Sequence, residues 1–243
     1  MQAFIPSAGL GTRLRPLTDD RPKALVEVEG KTLLEINIRR VVDAGARRVV
    51  VNVHHFADKV IDFLQSKDWG VEVLVSDERN LLLDTGGGLK KAESLFIPDE
   101  PILIHNVDVL TRIDLAMLEA IHTEGDDLAT LCVSHRATSR YLLFSPEQGL
   151  VGWKNTKTGE ILWAEDQAVD NVPLAFSGIA MVEPEFVAQL PAPQEPYPIV
   201  PQYLRVAKEW SIGGFLHDAA DWMDVGKPET LPLAAEFLAG QNR

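Results

Sequence analysis

The feature that most constrains this chain is a short apolar run that leads directly into a glycine-rich, cationic loop. Residues 4–6 are Phe-Ile-Pro, and Gly9 and Gly11 follow within five positions. Three cationic side chains come next: Arg13, Arg15 and Lys23. Glycine lets a backbone turn sharply and approach an anion closely, and successive N–H groups in such a turn form an anion site. We therefore interpret residues 7–25, called the first loop below, as a phosphate-binding segment.

Two familiar phosphate-binding motifs do not fit the first loop. A P-loop requires Gly-Lys-Ser/Thr, and a dinucleotide-binding loop requires a third glycine where this chain has Leu14. The loop instead resembles the sugar-phosphate nucleotidyltransferase signature, with Ala-Gly-Leu-Gly-Thr-Arg-Leu-Arg-Pro-Leu-Thr at residues 8–18 and Pro-Lys-Ala-Leu at 22–25. Ala24 replaces the second proline of that signature. The resemblance covers essentially the whole chain and is greatest to the short N-acetylmuramate 1-phosphate uridylyltransferase-like branch.

Apolar strand-like runs alternate with helix-like stretches, which predicts βαβ units. The predicted fold is α/β, a Rossmann-like three-layer sandwich with a mostly parallel central sheet and a small antiparallel extension on the substrate side. We predict a single domain over residues 1–243, with a nucleotide-binding half to about 145 and a sugar-binding half with a C-terminal helix from about 146. The predicted strands are 2–6, 47–53, 71–75, 102–106, 128–134, 140–144 and 209–216, with a hairpin turn at 155–159. The predicted helices are 31–44, 57–65, 113–122, 202–208 and 229–238.

Composition excludes several classes of protein. The net charge of −13 argues against a nucleic-acid-binding surface. No apolar run is long enough to span a membrane, and we see no signal peptide before Met1. The single cysteine, Cys132, permits no internal disulfide, so we expect a cytoplasmic protein. The sequence carries no signal for an oligomeric state.

Two carboxylates are candidate ligands for Mg²⁺. Asp108 follows the predicted buried strand at 102–106, and ligands of open α/β sheets bind beyond the carboxyl ends of the strands. Mg²⁺ takes one or two carboxylates together with phosphate and water oxygens. The family resemblance implies the same role through its Asn-x-Asp pattern, and implies Asp224 as the second ligand through its late Asp-x-Gly pattern. Asp221 is the competing carboxylate, and a helix cap is the alternative role for Asp224.

The resemblance also implies a nucleotide site and a sugar site. The implied nucleotide-binding residues are Ala8, Gly9, Leu10, Gly11, Thr12, Arg13, Lys23, Thr85, Gly86 and Asn106. Thr85 and Gly86 belong to a second glycine-rich segment, 84–89, which we predict to be a loop before a helix at 90–95. The implied sugar-binding residues are Ser177 and Gly178, with Tyr141 and Lys154 as partners. The family's Glu-Lys-Pro motif is missing, and Gly-Trp-Lys-Asn at 152–155 stands in its region.

Several other polar residues are better explained by structural roles in loops than by a role in a binding site. Glu78 and Asn80 are weaker nucleotide-binding candidates, since solvated loop polars are common. His54 and His55 end a predicted strand, but no Cys/His constellation matches them. We therefore expect them to be loop or capping residues rather than zinc ligands.

The predicted reaction joins an NTP, with UTP favoured, to a sugar 1-phosphate and releases pyrophosphate. The attacking phosphate oxygen is already ionised, so the reaction requires positioning and charge stabilisation rather than a general base. The predicted catalytic residues are Arg13, Lys23 and Asp108. Two alternatives remain open. One is a phosphocholine cytidylyltransferase, in which Trp163, Glu165 and Asp166 could serve a cationic acceptor. The other is a non-catalytic nucleotide-sugar-binding regulatory protein.

Overall fold

A ten-stranded mixed sheet runs through the molecule, whose computed structural model describes residues 1–164 and 170–240. The strands are β1 (Gln2–Pro6), β2 (Glu27–Val28), β3 (Lys31–Thr32), β4 (Arg48–Val53), β5 (Glu72–Asp77), β6 (Ile102–His105), β7 (Val109–Thr111), β8 (Ala129–Ser134), β9 (Arg140–Phe144), β10 (Leu150–Asn155), β11 (Ile161–Trp163), β12 (Val172–Val182), β13 (Ile212–Leu216) and β14 (Trp222–Asp224). The helices are α1 (Leu33–Asp43), α2 (Ala57–Gln65), α3 (Asp84–Lys91), α4 (Leu115–Glu124), α5 (Pro184–Gln189), α6 (Ile199–Val206) and α7 (Leu231–Ala239).

The centre of the sheet is parallel. β1 lies between β4 and β6 and pairs in parallel with both, and β4 pairs in parallel with β5. β6 is buried along its whole length. This burial explains why its sequence is continuously apolar rather than alternating. The predicted α/β class with a largely parallel central sheet is confirmed.

The antiparallel part of the sheet lies on the other side of β6. β12 pairs antiparallel with β6, and then with β8 and β9 along its opposite edge. β9, β10 and β11 continue as an antiparallel ribbon. The predicted hairpin turn closes that ribbon, since Gly159 N–H donates to the carbonyl of Asn155 at 2.9 Å.

Helices cover both faces of the sheet, as a three-layer sandwich requires. On one face α1, α2, α4 and α7 contribute Leu34, Val60, Leu118 and Phe237 to a shared apolar core. On the other face α3, α5 and α6 contribute Leu89, Phe186 and Tyr203 to a second core. In α2 the buried residues Ala57, Val60 and Leu64 are spaced by three and then four positions, which places them on one face of the helix. This amphipathic pattern agrees with the predicted limits, 57–65.

Element ends differ from the predictions where a cap or a proline sets them. α4 begins at Leu115 rather than 113, because the Asp114 side chain accepts a hydrogen bond from Met117 N–H and caps the helix. α6 begins at Ile199 rather than 202, directly after Pro198 in an extended conformation. Across residues 1–164 and 170–240, no helix combines the length and apolarity needed to traverse a lipid bilayer.

His105 is a buried titratable group at the end of β6. Its side chain has no exposed surface, and its Nδ1 lies 3.1 Å from the carbonyl oxygen of Asn106. Nε2 is buried and has no hydrogen-bond partner among the described residues. Burial lowers the pKa of His105 from 6.5 to about 4. The folded protein therefore holds this imidazole neutral at pH values where the unfolded chain protonates it.

We expect the free energy of unfolding to fall as the pH drops from 7 to 5. Below pH 6.5 the His105 side chain binds a proton in the unfolded state, whereas in the folded state it does so only near pH 4. Between pH 7 and pH 5 this difference lowers the free energy of unfolding by roughly 2 kcal/mol. Chemical denaturation of the wild type and of His105→Gln at pH 7 and pH 5 measures this share. The variant should lose about 2 kcal/mol less than the wild type. Equal losses would contradict a neutral, buried His105.

Candidate active site

The candidate site lies where the parallel strands end. β1, β4 and β6 run in the same direction, so the segments that follow them meet at one edge of the sheet. The first loop follows β1, His54 follows β4, and Asn106 follows β6. Residues far apart in the sequence are thus brought together before any side chain is considered.

The first loop closes on itself at Gly11. This residue has φ +65°, and a Cβ there would lie 3.0 Å from the Lys23 Cβ and 3.1 Å from the Thr18 Cγ2. Thr18 also donates its hydroxyl to the carbonyl of Gly11 at 2.9 Å. Leu14 anchors the loop in the core. A residue other than glycine would separate the loop from Lys23, so the glycine holds the lysine in place.

The loop leaves part of its backbone exposed. Four predicted nucleotide-binding residues of the loop are exposed, namely Gly9, Leu10, Thr12 and Arg13, and Gly11 and Lys23 are partly exposed. Ser7 and Ala8 are buried, and both N–H groups donate to the Asn52 side-chain oxygen, at 2.6 Å and 3.2 Å. The N–H of Ala8 is therefore already engaged within the protein.

Asn52 was missed by the sequence analysis, and it supports the first loop from beneath. Besides accepting from the loop, its side-chain nitrogen donates to the Glu78 carboxylate at 2.7 Å. The other oxygen of Glu78 accepts from Leu83 N–H at 3.1 Å. Burial raises the pKa of Glu78, which is fully buried and not the solvated loop residue that we expected. An asparagine inside a strand gives no sequence signal for these long-range contacts.

Four predicted site residues form a charged cluster: Arg13, Lys23, Asp108 and Asp224. Lys23 Nζ lies 2.7 Å from Asp108 Oδ2, and Arg13 Nη2 lies 3.5 Å from the same oxygen. Arg13 Nη1 also lies 3.9 Å from Asp224 Oδ2. Lys23 and Asp108 are largely buried, whereas the Arg13 side chain is 58% exposed. Two cations and two carboxylates therefore occupy one corner of the sheet edge.

Backbone pairing brings the two carboxylates together. β7 and β14 pair antiparallel, with Asp224 opposite Val109, and Val225 N–H donates to the carbonyl of Asp108 at 2.9 Å. Asp221 precedes β14 and so lies at the far end of the same pairing. Arg13 contacts both Asp108 and Asp224, which places Asp224 in the charged cluster. The choice of Asp224 over Asp221 as a metal ligand stays a prediction.

The donor set of the cluster fits a hard cation. No group of three or more His, Cys, Asp or Glu side chains is arranged to hold a metal anywhere in the described part of the chain. Two carboxylates suffice for Mg²⁺ when phosphate and water supply the remaining oxygens. A Cβ at Gly226 would lie 2.7 Å from Asp224 Oδ1 and 3.1 Å from Asp108 Oδ2. Arg13 Nη2 lies 2.8 Å from the same Cβ position, so the glycine lets the backbone pass directly against Arg13 and the two carboxylates.

The glycine-rich segment at residues 84–89 is helical, so the predicted loop is wrong. It forms most of α3. A Cβ at Gly86 would lie 2.7 Å from the Tyr197 ring, and one at Gly88 would lie 2.6 Å from the Asn52 side-chain nitrogen. These glycines are helical because close packing outweighs their poor helix propensity. Intrinsic propensity gave no warning of this tertiary effect.

The nucleotide-side predictions in α3 have different surroundings from one another. The N–H of Gly86 donates to the carbonyl of Tyr197 at 3.0 Å, and the residue is buried. Thr85 accepts from Ile199 N–H through its hydroxyl at 3.1 Å, and it also faces a cavity of about 550 Å³. This cavity joins the first loop to the charged cluster and is lined by Pro6, Ala8, Gly9, Lys23, Asn52, Leu82, Asp84, Thr85, Asn106, Asp108 and Pro196.

Ser177 and Gly178 border the site from β12. Gly178 has φ +71°, and a Cβ there would lie 2.4 Å from the Asn106 side-chain nitrogen. Its carbonyl accepts from Asn106 N–H at 3.0 Å. Ser177 is buried, and its hydroxyl lies 2.7 Å from His217 Nε2. Both residues therefore adjoin the segment that carries Asp108.

Tyr141 and Lys154 lie on the antiparallel ribbon. They are cross-strand neighbours, with Lys154 Nζ 5.8 Å from the centre of the Tyr141 ring. The Tyr141 hydroxyl accepts from Thr138 N–H at 3.1 Å. Among the described residues, the two side chains thus contact each other and the segment just before β9. Their role toward a sugar stays a prediction.

Two remaining expectations concern other positions. His54 Nδ1 lies 2.7 Å from the backbone oxygen of Glu78, which is a loop-supporting contact of the expected kind. Of the residues considered for a cationic acceptor, Trp163 ends β11. Glu165 and Asp166 lie outside the described residues.

Comparison with known proteins identifies sequence relatives over nearly the whole chain. A sequence profile described as nucleotidyl transferase matches residues 2–145. The N-acetylmuramate alpha-1-phosphate uridylyltransferase of Caulobacter vibrioides is 35% identical, over 96% of this chain and 95% of that protein. The enzyme of the same name from Neisseria meningitidis serogroup B is 29% identical, over 99% of each chain.

A solved structure supports the same fold. The inositol-1-phosphate CTP transferase from T. maritima superposes with a TM-score of 0.76, over 98% of this chain and 94% of that one. Its sequence identity is 18%, so this likeness concerns the fold alone.

We expect Asn52→Ala to destabilise the protein by about 3 kcal/mol, because it leaves two buried loop N–H groups and one oxygen of the Glu78 carboxylate without this partner. The free energy of unfolding from urea titration measures this cost. Asn80→Ala is the matched control, since Asn80 is exposed and should change stability by less than about 0.5 kcal/mol. Equal stability of the two variants would contradict the supporting role of Asn52.

Proposed function

Within the nucleotidyl transferase family, to which this chain belongs, we propose that it transfers the uridylyl group of UTP to an amino-sugar or muramic-type 1-phosphate. The products are the UDP-sugar and pyrophosphate. The class of enzyme, a sugar-1-phosphate nucleotidyltransferase, follows from membership of the family. The substrate assignment is the proposal.

The observation that carries the proposal is the charged cluster. A nucleotidyl transfer brings a triphosphate and a sugar phosphate together, so the site must neutralise several negative charges at once. Arg13 and Lys23 supply positive charge at the exposed first loop, next to the cavity of about 550 Å³. The acceptor phosphate is already ionised and attacks the α-phosphate of UTP, with pyrophosphate leaving in line.

Lys23 and Arg13 have distinct tasks in this proposal. Lys23 is held by Gly11 and Asp108, so it acts from a fixed position on the transferred phosphate. Arg13 is more exposed and bonded more loosely, at 3.5 Å and 3.9 Å, so it can turn toward the leaving pyrophosphate. Preorganised positive charge of this kind stabilises charge that develops in the transition state.

Asp108 and Asp224 would hold Mg²⁺. Their oxygens would serve as two of its ligands, and the ion would supply positive charge against the charge that develops on the reacting phosphates. Backbone pairing and the Val225 N–H to Asp108 hydrogen bond hold the two segments that carry these carboxylates side by side. Gly226 lets the backbone pass close to both carboxylates and to the Arg13 guanidinium that contacts them.

The choice of UTP and of a muramic-type acceptor depends on sequence similarity. Two relatives that match this chain from end to end are both N-acetylmuramate alpha-1-phosphate uridylyltransferases, and they match its length as well. A cytoplasmic location is part of the same proposal. It is compatible with the free thiol of the buried Cys132.

Pyrophosphate release from the purified protein tests the proposal directly. UTP, GTP, CTP and dTTP are each combined with N-acetylmuramate, N-acetylglucosamine and glucose 1-phosphates and with phosphocholine. We expect the fastest release with UTP and the N-acetylmuramate compound. Asp108→Asn should reduce it by roughly 100-fold or more, because it removes a charged ligand of the Mg²⁺ that would stabilise the reacting phosphates.

Asp221→Asn is the matched control, since it makes the same change at the carboxylate outside the cluster. Fast release with phosphocholine and CTP would contradict the proposal and support a phosphocholine cytidylyltransferase instead. Nucleotide binding without pyrophosphate release in any combination would contradict the proposal and support a non-catalytic regulatory protein instead.

A further inference from the structure

Arg136 is a cation beside the site that neither the first loop nor the family signature accounts for. β8 and β9 pair in turn with β12, and residues 135–139 form the excursion between them. β8 runs antiparallel to β12, as β6 does, so β8 ends at the same edge of the sheet as β6. Arg136, two residues after the end of β8, therefore lies just beyond the sheet edge at which Asp108 lies.

The guanidinium of Arg136 is held on two sides. Nη2 donates to the carbonyl oxygen of Phe176, and Cζ lies 3.9 Å from the centre of the Trp222 indole ring. Its Nε is buried and has no hydrogen-bond partner among the described residues. A planar cation that is stacked and hydrogen-bonded in this way is oriented before any ligand binds.

Arg136 has a desolvated charge without an adjacent counter-ion. Burial lowers its pKa, while Asp224 and Tyr141 act in the opposite direction. Yet in residues 1–164 and 170–240 no carboxylate lies within 4 Å of it, in contrast to Arg13 and Lys23. Partly buried charges are normally paired, because desolvation is costly. A ligand anion would complete this pairing.

Its neighbours place Arg136 on the acceptor side of the site. Trp222 stands two residues before Asp224, and its indole N–H donates to the carbonyl of Ser177 at 2.6 Å. Ser177 adjoins Gly178, whose absent side chain makes room for Asn106. Arg136 also lines a cavity of about 570 Å³ with Thr138, Trp153 and Phe176, among other residues.

We propose that Arg136 binds an anionic group of the acceptor and so selects for an anionic acceptor. This inference rests on the proposed function, because it presupposes a sugar 1-phosphate as the second substrate. The anion is either the 1-phosphate that every such acceptor carries or the carboxylate that only a muramic-type acceptor adds. A guanidinium suits both groups, since it can form two parallel hydrogen bonds to either.

The test combines equilibrium binding with turnover. Wild type, Arg136→Lys and Arg136→Met are titrated calorimetrically with the 1-phosphates of N-acetylmuramate and N-acetylglucosamine, which differ by the carboxylate-bearing ether. The kcat/KM of pyrophosphate release from UTP is measured for the same pairs. Arg140→Met is the matched control, because Arg140 lines the same cavity and is exposed. Thermal unfolding verifies that each variant is folded.

We expect Arg136→Met to weaken binding of the N-acetylmuramate compound by roughly 10- to 100-fold, the usual worth of a charge-assisted hydrogen bond. Arg136→Lys should retain part of the affinity and Arg140→Met nearly all of it. A loss confined to the N-acetylmuramate compound identifies the carboxylate as the anion. An equal loss for both acceptors identifies the phosphate.

Unchanged affinity for both acceptors in folded Arg136→Met would overturn the inference, and so would the absence of acceptor binding in the wild type. Failure of the proposed function gives a different result. In that case the wild type binds a sugar 1-phosphate in an Arg136-dependent manner but releases no pyrophosphate from UTP.

Discussion

The ion pair between Lys23 and Asp108 joins the first loop to the segment that follows β6. At 2.7 Å it is the shortest contact of the charged cluster, and both side chains are largely buried. Asp108 also forms an ion pair with Arg13. Its backbone carbonyl accepts a hydrogen bond from the N–H of Val225, the residue after Asp224. A change in this pair would therefore displace the first loop and both carboxylates together. The exposed Arg13 is the member of the cluster that is freest to respond to a ligand.

The fold holds this pair in place with contacts that have no chemical role of their own. Parallel strands deliver the first loop and Asp108 to one edge. Asn52 and Glu78 bind the underside of the loop, and α3 packs closely enough to touch both because it carries glycine at position 88. A substitution of Asn52 or Glu78 would therefore be expected to lower the stability of the protein and also to displace the first loop.

Local pattern predicted much of the fold and the cluster. α2 has the predicted limits, and β1 coincides with the predicted strand, because apolar periodicity and continuous burial are written into neighbouring residues. The first loop and Asp108 could be found because their residue types reveal their chemistry. The helix at residues 84–91, the buried Glu78 and the support from Asn52 could not. Each of these depends on a neighbour distant in sequence, such as Tyr197 against Gly86, and local propensity points the other way.

In the proposed reaction, Asp108 and Asp224 together would hold Mg²⁺ for phosphate transfer. The most direct measurement is the rate of pyrophosphate release from UTP and N-acetylmuramate 1-phosphate as Mg²⁺ is titrated from zero, for wild type, Asp224→Asn and Asp221→Asn. We predict no release without the ion, and saturable activation by Mg²⁺ in the wild type and in Asp221→Asn. Asp224→Asn should need a much higher Mg²⁺ concentration. Full release in excess chelator, or equal Mg²⁺ dependence of the two variants, would contradict this assignment.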